Sequence, residues 1–197
     1  MQSHLSVITA DLVRFKSFDA PTHRNEIKRV MMYVEKRFRK LPGVFVKKMT
    51  AGCNPVLMIT FKPRHQRPLI LLHGHLDVVP AEEQQFIPKK RGNRLYGRGA
   101  MDMKSGCAVM IALIEYFARQ SERPDVGFVF VGDEETSGKS TKLILKKGYR
   151  PQLFITVEPT DLNLITETKG VLWMEGAIKG KATHGSMPWL GKNPIEL

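Results

Sequence analysis

The stretch Leu69-Ile-Leu-Leu-His-Gly-His-Leu-Asp-Val-Val-Pro80 passes from an apolar run directly into residues that carry chemistry. Leu69 to Leu72, bounded by Pro68 and Gly74, is a short continuous hydrophobic run of the kind found in strands buried on both faces. His75 and Asp77 follow two apart, so in an extended chain both side chains leave the same face. That spacing suits a metal site in which one imidazole nitrogen binds a cation while a carboxylate orients the ring. It also suits an ordinary hydrogen-bonded pair at a strand end, which is the commoner case, so the rest of the chain has to separate the two readings.

On the N-terminal side, Leu5, Ile8, Leu12 and Phe15 keep a helical spacing, and Ile27, Val30, Met31, Val34 and Phe38 form a clearer apolar stripe. Asn25 is placed to cap this second helix, and Leu41-Pro-Gly43 stops it. Strands are expected over 44–49, 56–61 and 69–73, separated by Gly and Pro. Beyond Pro80, residues 81–94 read as a polar loop ending in a turn at Arg91-Gly-Asn-Arg94. A helix is predicted over 105–119, a fully apolar strand over 126–131, a helix over 139–147 and a strand over 153–157. Strands alternating with helices predict an α/β fold, with a mostly parallel or mixed sheet covered by helices on both faces. From Lys169 the character changes. Residues 171–180 read as a long strand opening a new unit, 182–188 as a loop, and Asn193-Pro194 as the start of a helix.

Composition bounds the function class. The chain has 197 residues, 42% hydrophobic and 25% charged, with no apolar run near the length of a membrane span, so a soluble protein is expected. Its first residues lack the pattern of a secretion signal, and a cytoplasmic location is the expectation that follows. Cys53 and Cys107 suit two reduced, packed thiols better than a disulfide framework or a thiolate metal site. A net charge of +12 would fit a nucleic-acid partner, but the basic residues are spread over helical segments such as 24–40 and 142–150 and no nucleic-acid motif accompanies them. Neither nucleic acid nor a membrane is expected as a partner.

Acidic and imidazole groups recur at one kind of place, past the carboxyl end of an apolar strand or in a glycine-marked turn: His75 with Asp77, Asp102, Glu134 with Glu135, and Glu158. In open α/β sheets the strand carboxyl ends converge on one crevice. Carboxylates gathered there with a histidine and no matching lysines repel one another and call for a cation. Imidazole and carboxylate ligands without thiolate fit zinc, or cobalt or manganese, in a catalytic site. Neighbouring glutamates on an extended backbone point apart, one to the metal and one to the substrate, and the sequence leaves open which is which. His73, on the same face as His75, reads as a packed or hydrogen-bonded histidine, and Asp133 as a solvated or turn-stabilising side chain. Lys104 and Arg98 suit either a substrate carboxylate or backbone contacts within the glycine turn. His4, His23 and His65 read as surface residues.

Gly74-His-Leu-Asp-Val-Val-Pro80, Tyr96-Gly-Arg-Gly-Ala-Met-Asp-Met-Lys-Ser-Gly106, Gly132-Asp-Glu-Glu-Thr-Ser-Gly138 and Glu158-Pro-Thr160 together resemble the successive signatures of the acetylornithine deacetylase and succinyl-diaminopimelate desuccinylase family, which includes aminoacylases and related zinc exopeptidases. The resemblance implies a two-zinc hydrolase of the amide bond in an N-acyl amino acid or small peptide. It implies that His75 and Glu158 bind one Zn2+, that Asp102 bridges two, that Glu135 binds the second, that Glu134 is the general base and that Asp77 orients His75. Co2+ or Mn2+ are possible substitutes. Gly180-Lys-Ala-Thr-His-Gly-Ser-Met-Pro188 resembles the family segment whose histidine, here His184, stabilises the oxyanion, often in a partner subunit, which implies a homodimer. On this basis residues 1–168 are expected to form the N-terminal part of a zinc exopeptidase-like catalytic domain, and 169–197 the first strand and loop of a smaller α+β lid or dimerisation domain. Glu158-Pro-Thr160 resembles the acylase and deacetylase branch more than the dipeptidases. A histidine expected near the C-terminus of a complete member has no counterpart, so the chain is expected to be an incomplete, weakly active or inactive fragment that binds one metal better than two. The alternative is a non-catalytic relative, or a partner-binding truncated product, that keeps the fold.

Overall fold

The computed structural model describes residues 2–18, 24–64, 66–170, 172 and 174–196, so His23 and His65 lie outside the described residues. The chain divides into two compact units, Met1–Leu162 and Asn163–Leu197.

The first unit is built on a five-stranded sheet in the order β1-β2-β6-β3-β7. Its strands are β1 (Phe45–Ala51), β2 (Asn54–Thr60), β3 (Ile70–His75), β6 (Val126–Val131) and β7 (Leu153–Thr156). β1 and β2 form an antiparallel hairpin, and β2 is antiparallel to β6. β6, β3 and β7 run parallel, with His75 opposite Val131 and His73 opposite Thr156. The carboxyl ends of these three strands therefore lie along one edge of the sheet. Because β2 runs the other way, its first residue, Asn54, comes to that same edge.

The continuous apolar runs make β2 and β6 two-sided. Val126, Phe128 and Phe130 of β6 and Leu57 and Ile59 of β2 pack beneath α1 (Gln2–Val13), α2 (Arg24–Phe38) and α3 (Ser105–Ala118), with Leu12, Val34, Phe38 and Ile111 among their neighbours. The alternate residues, Val129, Val131, Val56 and Met58, pack on the other face with Ile144 of α4 (Lys139–Lys146) and Tyr149. This alternation follows from the two-residue period of a strand, and the sheet, mixed in its strand directions, carries helices on both faces as the sequence predicts. α3 approaches the sheet very closely: a Cβ at Gly106 would lie 2.4 Å from the Val157 carbonyl oxygen, so only glycine fits there. No helix among the described residues is long and apolar enough to cross a membrane.

Several local expectations are corrected. α2 already begins at Arg24, so Asn25 lies in its first turn rather than ahead of it. The polar region after Pro80 contains a 3-10 turn, Glu83–Phe86, and a small hairpin of β4 (Lys89–Arg91) and β5 (Arg94–Tyr96) around the expected turn. In the second unit, the described residues among 171–180 form no strand and are exposed. A strand needs a neighbour to take its N–H and C=O groups, and among the described residues of this unit such pairing is confined to one bridge between Lys181 and Lys192. Asn193 starts a single turn, with its side chain accepting from the Ile195 N–H at 3.1 Å, where a helix was expected.

Candidate metal centre

His75 closes β3 and is 1% exposed. Its Nδ1 lies 2.9 Å from the Asp77 carbonyl oxygen, which can only accept, so Nδ1 carries the proton and Nε2 faces the other way. There Nε2 meets Asp102 Oδ1 at 3.1 Å, Glu158 Oε1 at 3.7 Å and Glu134 Oε2 at 3.8 Å. Two sulfur atoms hold the His75 backbone: its N–H points at Met103 Sδ, 3.2 Å away, and its carbonyl accepts from the Cys107 thiol at 3.1 Å.

Asp77 is buried and joins two strand ends. One carboxylate oxygen accepts the Glu135 N–H at 2.9 Å, tying the segment after β3 to the loop after β6. The other lies 3.6 Å from His75 Nδ1 and makes no hydrogen bond. The imidazole is thus oriented at closest range by the Asp77 carbonyl, with the carboxylate behind it.

Asp102 is presented by the glycine-marked loop ahead of α3. Gly99 has φ 74°, a left-handed conformation, and a Cβ there would fall 2.5 Å from Val78 Cγ1. Asp102 and Met103 depart from helical φ/ψ within Ala100–Lys104, and the peptide between them is cis. Single ligand atoms of His75, Asp102 and Glu135 lie within 4.8 Å of one another. Glu158 follows β7, and Glu134 and Glu135 follow β6, so all three strand ends of the parallel part of the sheet contribute.

The electrostatics follow from crowding carboxylates around one imidazole. Burial works against a charged His75, but the nearby Asp77 carboxylate and the hydrogen bond to the Asp77 carbonyl, helped by Glu158, push its pKa up to about 9. Burial raises Glu158 to about 7, with Asp102 and Glu134 adding to the rise and His75 opposing it. Glu135 is also raised, by burial first and then by Asp102. A set of oxygen donors and one imidazole nitrogen, competing for positive charge and free of thiolate, fits a divalent cation of the zinc type. The imidazole is already aimed, with its second nitrogen satisfied by backbone, as in established histidine metal sites.

The structure also places the residues read more plainly. His73 is 5% exposed and lies between the hydroxyls of Thr141, 2.9 Å from Nε2, and Thr156, 3.2 Å from Nδ1. Burial and the nearby His75 lower its pKa to about 4, so it is a neutral, hydrogen-bonded histidine. Lys104 is fully buried with Nζ donating to the Phe15 carbonyl at 2.9 Å, which removes it as a substrate-carboxylate binder. His184 belongs to the second unit, where its Nδ1 is 2.8 Å from Ser186 Oγ. Sequence reasoning missed Asn54 and Ser17, because their contacts with the site's loops come from residues far away in the chain. Asn54 Nδ2 donates to Asp133 at 3.2 Å and Ser17 Oγ to the Leu76 carbonyl at 2.6 Å.

The sequence matches the model for "Peptidase family M20/M25/M40" over residues 71–189, more than half of the chain and all of the strand ends just described. Among proteins of similar sequence, a probable succinyl-diaminopimelate desuccinylase of Staphylococcus aureus is 34% identical over 140 residues, covering 66% of this chain and 34% of that protein. A probable carboxypeptidase of Aspergillus terreus is 34% identical over 139 residues, covering 65% of this chain and 31% of that protein. The chain therefore spans about a third of the length of these relatives. Among solved structures, a Staphylococcus aureus tripeptidase superposes with a TM-score of 0.67 at 19% identity, over 100% of this chain and 54% of that one. Human carnosine dipeptidase 1 gives 0.64 at 21% identity, over 79% and 38%. The mixed sheet seen here is the fold of these peptidases, and by its matched motifs the chain belongs to peptidase family M20/M25/M40.

Proposed function

We propose that the protein hydrolyses the amide bond of an N-acyl amino acid or small peptide with the help of Zn2+. What supports this most directly is the direction of His75 Nε2, which points into the carboxylates of Asp102, Glu134 and Glu158 where the ends of β3, β6 and β7 meet. His75 and Glu158 would hold one ion, Asp102 would be shared, and Glu135 would hold a second. When bound, such ions polarise an amide carbonyl and acidify water. Glu134, 44% exposed in its side chain and 3.8 Å from His75 Nε2, takes the proton from the attacking water and returns it to the leaving amine. Asp77 keeps His75 and the Glu135 backbone in register. His184 serves as an oxyanion donor, within a lid unit to which residues 169–197 belong.

Release of free amine from a panel of N-acyl amino acids and dipeptides, with added Zn2+, tests this reading. Glu134→Gln is expected to lower turnover by about 10²–10⁴-fold while leaving metal affinity unchanged. Turnover that is indifferent to Glu134→Gln sinks the assignment of the base. Tight metal binding without turnover on any substrate favours the other two readings, a weakly active or inactive fragment or a non-catalytic relative.

A further inference from the structure

Glu134 and Glu135 ride on a loop that has no regular structure of its own, and its shape is set by the residue before them. Asp133 is 1% exposed. Its Oδ2 accepts from Ser137 Oγ at 2.7 Å and from Asn54 Nδ2 at 3.2 Å, and the Ser140 N–H straddles both carboxylate oxygens at 3.1 and 3.3 Å. Its carbonyl accepts from the Ser137 and Gly138 N–H groups at 3.0 and 2.8 Å. One residue thereby closes the turn 133–138, satisfies an N–H of the first turn of α4 and fastens both to the tip of the β1–β2 hairpin.

We propose that Asp133 is a positioning residue for the glutamate pair, and that Asn54 is its counterpart on the hairpin. By curling the loop inward, Asp133 turns the Glu135 N–H toward Asp77 Oδ2, 2.9 Å away, and presents both glutamate side chains to His75. The three donors around the Asp133 carboxylate converge on Oδ2, and Oδ1 takes only the longer half of the shared Ser140 N–H. An asparagine can still present a carbonyl oxygen where Oδ2 stands, at the cost of the negative charge and of an NH2 group facing the Ser140 N–H. Asp133→Ala removes every acceptor and leaves the three donors without it. The proposal rests on the metal-hydrolase reading for its consequence, but the geometry it predicts exists without metal.

The experiment has two readouts. In metal-free protein, hydrogen exchange followed by NMR is expected to show the Glu135 amide losing protection about 10-fold in Asp133→Ala, while amides of Val129 and Val131 keep theirs. In a Co2+ titration followed by visible absorption, the variant is expected to bind roughly 10–100-fold more weakly, the usual size of an orienting residue's effect. Asp133→Asn, which keeps an acceptor where Oδ2 stands, is expected to shift both in the same direction by less, and so is Asn54→Ala, which keeps Asp133. An unchanged Glu135 amide in Asp133→Ala overturns the proposal, and so does equal loss of protection along β6, which marks a general stability effect. If the unaltered protein binds no Co2+ yet the Glu135 amide responds as expected, the metal reading falls and the positioning role stands.

Discussion

Glu115 shows how one carboxylate can be held well away from the cluster. It lies on α3, where Arg37 of α2 donates from Nε at 3.0 Å and His4 of α1 approaches to 2.8 Å. Burial alone would raise its pKa, but the hydrogen bonds from His4 and Arg37 and the Arg37 charge outweigh it, so the folded-state value lies below the ordinary one. The sign follows from linkage. A depressed carboxylate contributes stability that is fully present above its unfolded pKa, about 4.3, and is lost as pH falls through the lower folded value. Glu115→Gln is expected to cost about 1 kcal/mol at pH 7 and to flatten the acid limb of the stability curve. Urea denaturation from pH 7 down to 3 measures both. At this scale the sequence displayed the side chains that the structure gathers, because His75, Asp102, Glu134, Glu135 and Glu158 stand at strand ends or glycine turns. It could not tell Asp133 from a solvated acid, since what distinguishes Asp133 is its burial among donors from residues 54, 137 and 140.

Between residue and molecule stand short connecting segments, of which the stretch after α1 is the most consequential. Within three residues the Phe15 carbonyl takes the Lys104 ammonium, Ser17 Oγ donates to Leu76 O, and the Ser17 carbonyl accepts the Val78 N–H at 3.0 Å. This strap holds the segment bearing Asp77 and the loop bearing Asp102 against the end of the first helix. Ser17 is fully buried, so Ser17→Ala leaves the Leu76 carbonyl short of its partner and is expected to cost about 1–3 kcal/mol. A lower denaturant midpoint at unchanged slope would record it. The helices and the strands 69–72 and 126–131 were legible because burial writes a period, or an unbroken apolar run, into the sequence. The β4–β5 hairpin was not, since Lys89 to Arg91 are exposed and carry no apolar alternation. The described residues among 171–180 depart from expectation for the opposite reason: their composition suits a strand, but strand formation depends on a partner elsewhere in the chain.

The whole first unit is organised by the direction of its strands, and the functional reading depends on that direction more than on any single contact. Parallel β6, β3 and β7 gather His75, the Glu134–Glu135 pair and Glu158 at one edge although they span the sequence from residue 75 to residue 158. The antiparallel hairpin adds Asn54 to the same edge. Fold class was open to sequence reasoning because alternating strands and helices with two-sided apolar runs admit few architectures. The order of strands was not, because nothing local to β2 announces that it pairs with β6.

The gathering of distant residues by parallel strands has a thermodynamic side. An unfolded chain presents the same imidazole and carboxylates only as scattered, weak ligands, so an ion that prefers the assembled set draws the folding equilibrium toward the native state by mass action. Zn2+ at about a hundred times its dissociation constant is expected to add about 2.7 kcal/mol, which for a chain of this size is a rise in Tm of roughly 5–10 °C. A chelator should reverse the shift, and His75→Ala should abolish it, both visible by calorimetry. The ion that the strand ends are arranged to hold would then act as a fastener of the sheet as well as a reagent, and metal supply would set how much of the protein survives heat and proteolysis.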